Sequence, residues 1–192
     1  MSHTVCFTEE EWTFYYKLCH QYACNELEST FEQRKRRNQF NKNAMITQTT
    51  CGKLAEWACT LYFLDKGEPI SDPDMEIYTA SKKSFDADLQ VDGHDLHVKS
   101  QTVESATRFG TSWMFQYDGK GTGHCDPLLK KENGLVAFCV VDMKSHKIQI
   151  VGVCEFDKIR HKLRETVKEV LKKTKRCIYL EDLCKTDYIN ID

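Results

Sequence analysis

The chain has few of the residues that interrupt regular structure, with 3 prolines and 9 glycines among 192 residues. Together with an aromatic fraction of 11%, this composition excludes a disordered or low-complexity chain. The longest uninterrupted apolar run, residues 135–141, falls far below the roughly 18 residues that span a bilayer. The first residues also lack the basic-then-apolar layout of a secretory signal, so we expect a soluble, cytoplasmic protein.

Cysteine is abundant, with ten residues, but the chain has no C-x-x-C pair of the kind that holds zinc. The nearest candidate pairs, Cys19-His20 and His124-Cys125, stand alone. Disulfides are rare in a reducing compartment, and a thiol inside an apolar pattern behaves as a small hydrophobe. We therefore predict neither a disulfide framework nor a structural zinc site.

Charge is nearly balanced overall but unevenly distributed, since 27 basic and 29 acidic residues leave a net charge of −2. A run of four cations consists of Arg34, Lys35, Arg36 and Arg37, and a second basic segment covers residues 155–176 and includes Arg160 and Arg164. Acidic residues concentrate in residues 65–95. Basic clusters around an acidic centre suit a protein that holds a polyanion near carboxylates, although solvated helix faces give the same pattern.

The hydrophobic periodicity predicts one domain, in which helices pack on a central mixed sheet in an α/β or α+β arrangement. One helix is predicted over residues 9–29, a second from Thr49 or Thr50 to near Gly67, and a basic amphipathic third over residues 156–174. A long loop is expected over residues 119–133. Strands are predicted at 85–91, 95–101, 135–141, 147–153 and 177–180, and residues 112–117 are either another strand or the end of a helix.

The strongest local signal is Asp92-Gly93, a two-residue hairpin turn between two alternating segments. Pairing the strands outward from this turn places five apolar residues on one face: Ala87, Leu89, Val91, Leu96 and Val98. The opposite face receives only polar residues: Asp86, Asp88, Gln90, Asp95, His97, Lys99 and Gln101. A slip of one residue would mix the two sets, so the pattern fixes the register.

The polar face combines carboxylates, an imidazole and an ammonium group within about two rungs of the hairpin. Carboxylates can hold a hard divalent metal, and a neighbouring cation can stabilise the charge that develops on a phosphate. A polar face that simply meets water is the ordinary alternative.

Asp88, the hairpin and the triplet His97-Val98-Lys99 resemble the active-site hairpin of the PD-(D/E)xK nuclease superfamily. The run Gly52-Lys53-Leu54-Ala55-Glu56-Trp57-Ala58 is similar to the upstream helix that supplies a glutamate in many members. The resemblance covers residues 50–153 and implies a restriction-endonuclease-like fold, with a central mixed sheet flanked by helices. Residues 1–48 would then be a helical, basic extension, and residues 154–192 a basic helix and strand.

This resemblance implies a metal-dependent endodeoxyribonuclease that uses Mg²⁺ or Mn²⁺. Asp88 and the carbonyl of Val98 would bind the ion, and Glu56 would reach it directly or through water. Lys99 would orient the attacking water, and Gln101 would position a phosphate oxygen. Contacts to the DNA backbone would come from the six cations Arg34, Lys35, Arg36, Arg37, Arg160 and Arg164.

The triplet departs from the family pattern because His97 stands where an acid is usual. His97 is then a metal ligand that favours softer ions, a group that activates water, or a mark of weakened activity. Asp86 is the reserve metal ligand. Pro73-Asp74 also reads as a Pro-Asp pair, but it lies outside the hairpin.

Two other functions are consistent with the same residues. Cys51 at a helix start, with His97 and Asp88, would make a papain-like cysteine hydrolase. A nuclease fold that has lost its metal chemistry would be a DNA-binding module. Cleavage of both DNA strands would call for a second copy of the chain or a partner subunit.

Overall fold

The computed structural model describes residues 2–36, 39–78, 87–117, 125–129 and 134–189. In the described part of the chain, helices and strands follow in this order: β1 His3–Cys6, α1 Glu9–Lys35, α2 Lys42–Asp65, β2 Leu89–Val91, β3 His94–Thr102, α3 Val103–Phe109, β4 Ser112–Gln116, β5 Leu135–Asp142, β6 Lys147–Glu155, α4 Phe156–Ile159, β7 Arg164–Glu165 and β8 Lys175–Tyr179. None of these helices is both long and apolar enough to cross a membrane.

The two long helices begin at side-chain caps. Thr8 and Glu11 form a reciprocal capping box at the start of α1. The predicted start of α2 at Thr49 or Thr50 is wrong, because the Asn41 side chain accepts a hydrogen bond from Ala44 N at 3.0 Å. Thr50 instead donates to the Ile46 carbonyl at 2.8 Å inside the helix. A good capping residue in the interior of a helix thus has its hydroxyl satisfied by the preceding turn.

The hairpin has the predicted register. Leu89 pairs with Leu96, Gln90 with Asp95 and Val91 with His94. Asp92 and Gly93 both adopt positive φ, as a two-residue turn of this kind requires. Strand β2 is shorter than predicted, since it begins at Leu89. Asp86, the reserve ligand, lies outside the described residues.

A five-stranded mixed sheet is ordered β1-β6-β5-β3-β2, and a three-stranded sheet is ordered β4-β8-β7. Strands β3 and β5 are parallel, and α3 and β4 lie between them in the sequence, whereas β5 and β6 form an antiparallel hairpin. The predicted class of helices with a mixed sheet is therefore confirmed.

Two cores lie on opposite faces of the five-stranded sheet. Leu96, Ala137 and Cys139 pack toward α1 and α2 in the first core. Val136 and Phe138 face the second core, where they meet Trp113, Phe115 and Ile178 from β4 and β8. Successive side chains of β5 therefore enter different cores, as its continuous hydrophobicity predicts.

The predicted basic helix over residues 156–174 is wrong. Helix α4 ends after one turn, with Phe156 and Ile159 buried, and the chain then pairs Arg164 with Cys177 of β8. Val167 and Val170, which the helical pattern would bury, are 62% and 87% exposed. A two-residue pairing with β8 thus takes the place of a helix, although apolar residues recur at helical spacing in this segment.

Gly152 on β6 is a position where the backbone approaches an aromatic ring closely. A Cβ atom there would lie 2.0 Å from Cδ1 of Tyr188. We expect Gly152→Ala to lower the free energy of unfolding by about 1–3 kcal/mol, because the ring must move out of a packed position. Urea denaturation measures this change.

Gly52→Ala is the matched control, because a Cβ atom at this helical position meets nothing within 4 Å. That substitution should stabilise the protein by about 0.5–1 kcal/mol. Equal stability of the wild type and Gly152→Ala would contradict the close approach of Tyr188.

Candidate active site

Asp88 immediately precedes β2, which begins to pair with β3 at Leu89. Its Oδ2 accepts a hydrogen bond from Val98 N at 2.8 Å, in place of a backbone partner. A strand residue directs its N–H and C=O to the same edge, so the Val98 carbonyl also faces the Asp88 side of β3. The carboxylate of Asp88 is therefore held near the plane of the sheet, beside a carbonyl oxygen.

Glu56 is a buried carboxyl group, only 7% exposed, on the face of the sheet that α2 covers. The ammonium of Lys53, one helical turn earlier, lies 2.7 Å from its Oε2. Burial raises the pKa of Glu56 to about 8; Lys53 opposes this shift, and the negative charges of Asp88 and Asp74 add to it. Burial also acts to lower the pKa of Lys53, but attraction to Glu56 outweighs it and that pKa is raised.

Lys99 projects toward the other face of the sheet. Its neighbour Val98 packs against the helix-side core, and side chains alternate along a strand. The Lys99 ammonium lies 2.7 Å from Asp126 Oδ2 and 5.2 Å from the centre of the Phe115 ring. Glu56 and Lys99 therefore flank the plane of β3 from opposite sides, with Asp88 at the strand edge between them, rather than sharing one pocket on one face.

His97 and Gln101 belong to the same side of β3 as Lys99. His97 is buried opposite Val136 of the second core, away from Glu56. Gln101 holds the turn between α3 and β4, because its amide donates to the Gly110 carbonyl at 3.1 Å and accepts from Ser112 N at 2.8 Å. These two hydrogen bonds stabilise the turn, so the role of Gln101 here is structural.

Asp88 and Glu56, the two acids predicted as metal ligands, lie close enough for their charges to interact. Within the described ranges, no three His, Cys, Asp or Glu side chains cluster closely enough to hold a metal by themselves. Mg²⁺, however, keeps several water ligands and usually takes one or two carboxylates from the protein. The carboxyl groups of Asp88 and Glu56 are therefore enough in number for a magnesium site to be proposed.

Most of the cations predicted to contact DNA already have acidic partners. Arg34 lies 2.6 Å from the buried Glu26, and Lys35 lies 2.6 Å from Glu32. The second basic segment shows the same pairing: Arg160 with Asp157, and Arg164 with Glu181 and Asp182. Arg36 is exposed at the end of α1, and Arg37 lies outside the described residues. A polyanion would have to compete with these carboxylates.

The structural premise of the cysteine hydrolase is wrong. Cys51 lies in the interior of α2, because this helix begins nine residues earlier than the thiol, at Lys42. Burial raises the pKa of Cys51 to about 11, and its Sγ contacts the sulfur of Met143 at 3.7 Å. A buried thiol with a raised pKa is a poor nucleophile.

Sequence reasoning missed two charged residues beside the predicted set. Lys53 is three residues before Glu56, so the helical spacing of i and i+3 signals that pair. Asp126 falls in the predicted loop 119–133, and no local pattern connects it with Lys99.

Comparison with known proteins gives no relative. No family model matches the chain, and neither the curated proteins nor the solved structures include a match to it.

The raised pKa of Glu56 predicts a specific pH dependence of stability. Between pH 4.5 and about 8, the unfolded chain releases a proton that folded Glu56 retains, so stability falls as the pH rises. Relative to Glu56→Gln, the wild type should lose up to about 4 kcal/mol in free energy of unfolding between pH 5 and pH 8. Urea denaturation at four pH values measures the difference.

Glu165→Gln, which changes a carboxylate on the surface, is the control and should follow the wild type at every pH. Parallel stability curves for the wild type and Glu56→Gln would mean that burial does not raise the pKa of Glu56.

Proposed function

We propose that this chain is a divalent-metal-dependent endonuclease that hydrolyses phosphodiester bonds in DNA. The observation that supports the proposal is the hydrogen bond that Asp88 accepts from Val98 N. The buried carboxyl group of Glu56 lies close enough for its charge to interact with that of Asp88. Because DNA is the proposed substrate, we also infer that the protein acts inside the cell, with a second copy or a partner subunit for double-strand cleavage.

The electrostatics of this pair support a cation site. Asp88 helps to raise the pKa of Glu56, and Lys53 does not fully offset the cost of burying the carboxylate. A divalent cation between the two carboxyl groups would relieve their repulsion and favour the ionised form of Glu56. Mg²⁺ or Mn²⁺ would be held by Asp88, Glu56 and the Val98 carbonyl, with water completing the coordination.

When bound, such an ion polarises a phosphoryl oxygen and lowers the pKa of a bound water. The residues of the chain orient the reactants. The Val98 N–H fixes the rotation of the Asp88 carboxylate, and Asp126 and Phe115 hold Lys99 beside the same strand. A phosphodiester along the edge of β3 would meet Asp88 and Glu56 on one side and the Lys99 ammonium on the other. The ammonium can then stabilise negative charge on the phosphate.

A DNA-binding module without nuclease activity is the second candidate. It is favoured by His97, which is buried in the second core where the family pattern places an acid. In this alternative, Lys99 and Asp126 are a structural ion pair and Asp88 serves only to satisfy the Val98 N–H.

Cleavage of supercoiled plasmid in Mg²⁺, Mn²⁺ or chelator separates the two candidates. We expect nicking or cutting with either metal and none with chelator. Asp88→Asn and Lys99→Ala should each lower the rate by about 10²–10³-fold, because each removes a charge that acts on the transition state. Gel quantification of the cleavage rate measures the effect.

Lys144→Ala is the matched control for Lys99→Ala, because Lys144 is 84% exposed in the turn between β5 and β6. Its rate should equal that of the wild type. Full activity in Asp88→Asn would exclude the proposed metal site, and DNA binding without cleavage in either metal would establish the binding module.

Metal binding can also be measured without cleavage. At pH 8, Mg²⁺ at ten times its dissociation constant should stabilise the wild type by about 1.4 kcal/mol, because the ion binds only the folded chain. Asp88→Asn and Glu56→Gln should lose this stabilisation. Thermal unfolding with and without Mg²⁺ is the measurement, and an equal shift in all three proteins would place the ion elsewhere.

A further inference from the structure

We propose that Asp126, which lies outside the hairpin, is the positioning residue for Lys99. The inference rests on the proposed nuclease function and assigns a role to a residue that the hairpin pattern does not include. It is carried by a half-buried ion pair, in which Asp126 Oδ2 lies 2.7 Å from the Lys99 ammonium.

Both oxygens of the Asp126 side chain have protein partners. Oδ2 accepts from Lys99 Nζ, and Oδ1 accepts from Leu128 N at 3.2 Å. A carboxylate engaged in this way is poorly placed to bind a metal, but it is well placed to hold a cation. Asp126 therefore acts through Lys99 rather than on a ligand of its own.

The backbone around Asp126 is anchored on both sides of the residue. Its N–H donates to the Gln116 carbonyl at the end of β4 at 2.9 Å, and its carbonyl accepts from Leu129 N at 2.9 Å. The next apolar residue, Leu128, is buried in the second core. The carboxylate is thus fixed to the second sheet, and Lys99 bridges from the first sheet to reach it.

This anchoring matters because a lysine side chain has a flexible four-carbon stem. Asp126 holds the ammonium from one side, and the buried ring of Phe115 lies 5.2 Å from Nζ. An ammonium has three N–H donors, so the bond to Asp126 leaves two that can donate to a phosphate oxygen or to a water. Holding a charged group in place before the reaction is what electrostatic stabilisation of a transition state requires.

The chain offers a matched ion pair for comparison. Lys162 lies 2.6 Å from Asp187 Oδ2, and the side chains of this pair are 17% and 11% exposed, against 20% and 8% for Lys99 and Asp126. Asp187 belongs to the C-terminal part of the chain and is not among the residues proposed for the reaction. Asp187→Asn therefore reports what the loss of a similar ion pair does to folding alone.

Steady-state cleavage of a DNA duplex by Asp126→Asn, Asp126→Glu and Asp187→Asn tests the proposal. We expect Asp126→Asn to lower kcat by about 10–100-fold, with KM within about twofold of the wild type, because the ammonium loses its position but not its charge. Asp126→Glu should recover most of the lost kcat. Asp187→Asn should keep the wild-type kcat, although both asparagine variants unfold at lower temperature.

Asp126→Asn leaves the ammonium of Lys99 without its acidic partner and could prevent folding. A double-mutant comparison keeps the proposal testable in that case. Lys99→Met and the double variant Lys99→Met/Asp126→Leu carry no such unpaired ammonium, and they should cleave within about twofold of each other if Asp126 acts only through Lys99. A further tenfold loss in the double variant would overturn the positioning role.

The two proposals fail in different ways. A wild type that cleaves no DNA in Mg²⁺ or Mn²⁺ overturns both of them. A wild type that cleaves, with Asp126→Asn retaining full kcat or changing only KM, overturns the role of Asp126 and leaves the nuclease in place.

Discussion

Along one edge of strand β3, the hydrogen-bond partner changes from the backbone of β2 to the side chain of Asp88. The candidate site depends on this change. The first residues of β3 pair with β2, whereas residues 96–102 pair with β5 on the other edge. Beyond the start of β2, the N–H of Val98 requires a partner, because an unsatisfied backbone group in a partly buried strand costs about 1–3 kcal/mol. The carboxylate of Asp88 meets this requirement, and the same bond places it at the edge of the strand.

Charges near this edge are stabilised in pairs, one on each side of the sheet. Lys53 pairs with Glu56 under α2, and Lys99 pairs with Asp126 above the second core. Removing one member of a buried pair leaves an uncompensated charge, whereas removing both members costs much less. In the first pair, Lys53 does not fully compensate for the burial of Glu56, whose pKa remains raised to about 8. The helix side of the edge is therefore the one that an additional cation would stabilise most.

The hairpin could be predicted from the sequence because its signals are local and agree with one another. Asp92-Gly93 sets the turn, and the alternation from Leu89 to Val98 sets the faces. The start of α2 could not be predicted in the same way, because Asn41 and Thr50 are both acceptable caps and only the packed structure chooses between them. The structure of the segment after Ile159 could not be predicted either. Its helical periodicity competes with pairing to β8, a strand that is distant in sequence.

The two faces of the hairpin could be predicted better than the contacts between elements. Alternation correctly placed His97 and Lys99 on one face, but it does not reveal that α2 brings Glu56 to the opposite face. Nor does any local pattern reveal Asp126, because its contact with Lys99 spans 27 positions and depends on how the second sheet packs. Sequence patterns report neighbours within an element, whereas these contacts arise between elements.

The placement of charge on both sides of β3 bears on the choice between enzyme and binding module. A purely binding surface has no need to bury a carboxyl group, because exposed cations attract a phosphate backbone at lower cost. Here the acids are buried or fixed by hydrogen bonds, while several surface cations are already paired with carboxylates. Burial and the charge of Asp88 raise the pKa of Glu56, and in the proposed site a bound cation would oppose that shift. Acids with perturbed pKa values cluster at functional sites, and this is the physical argument for the proposed hydrolysis.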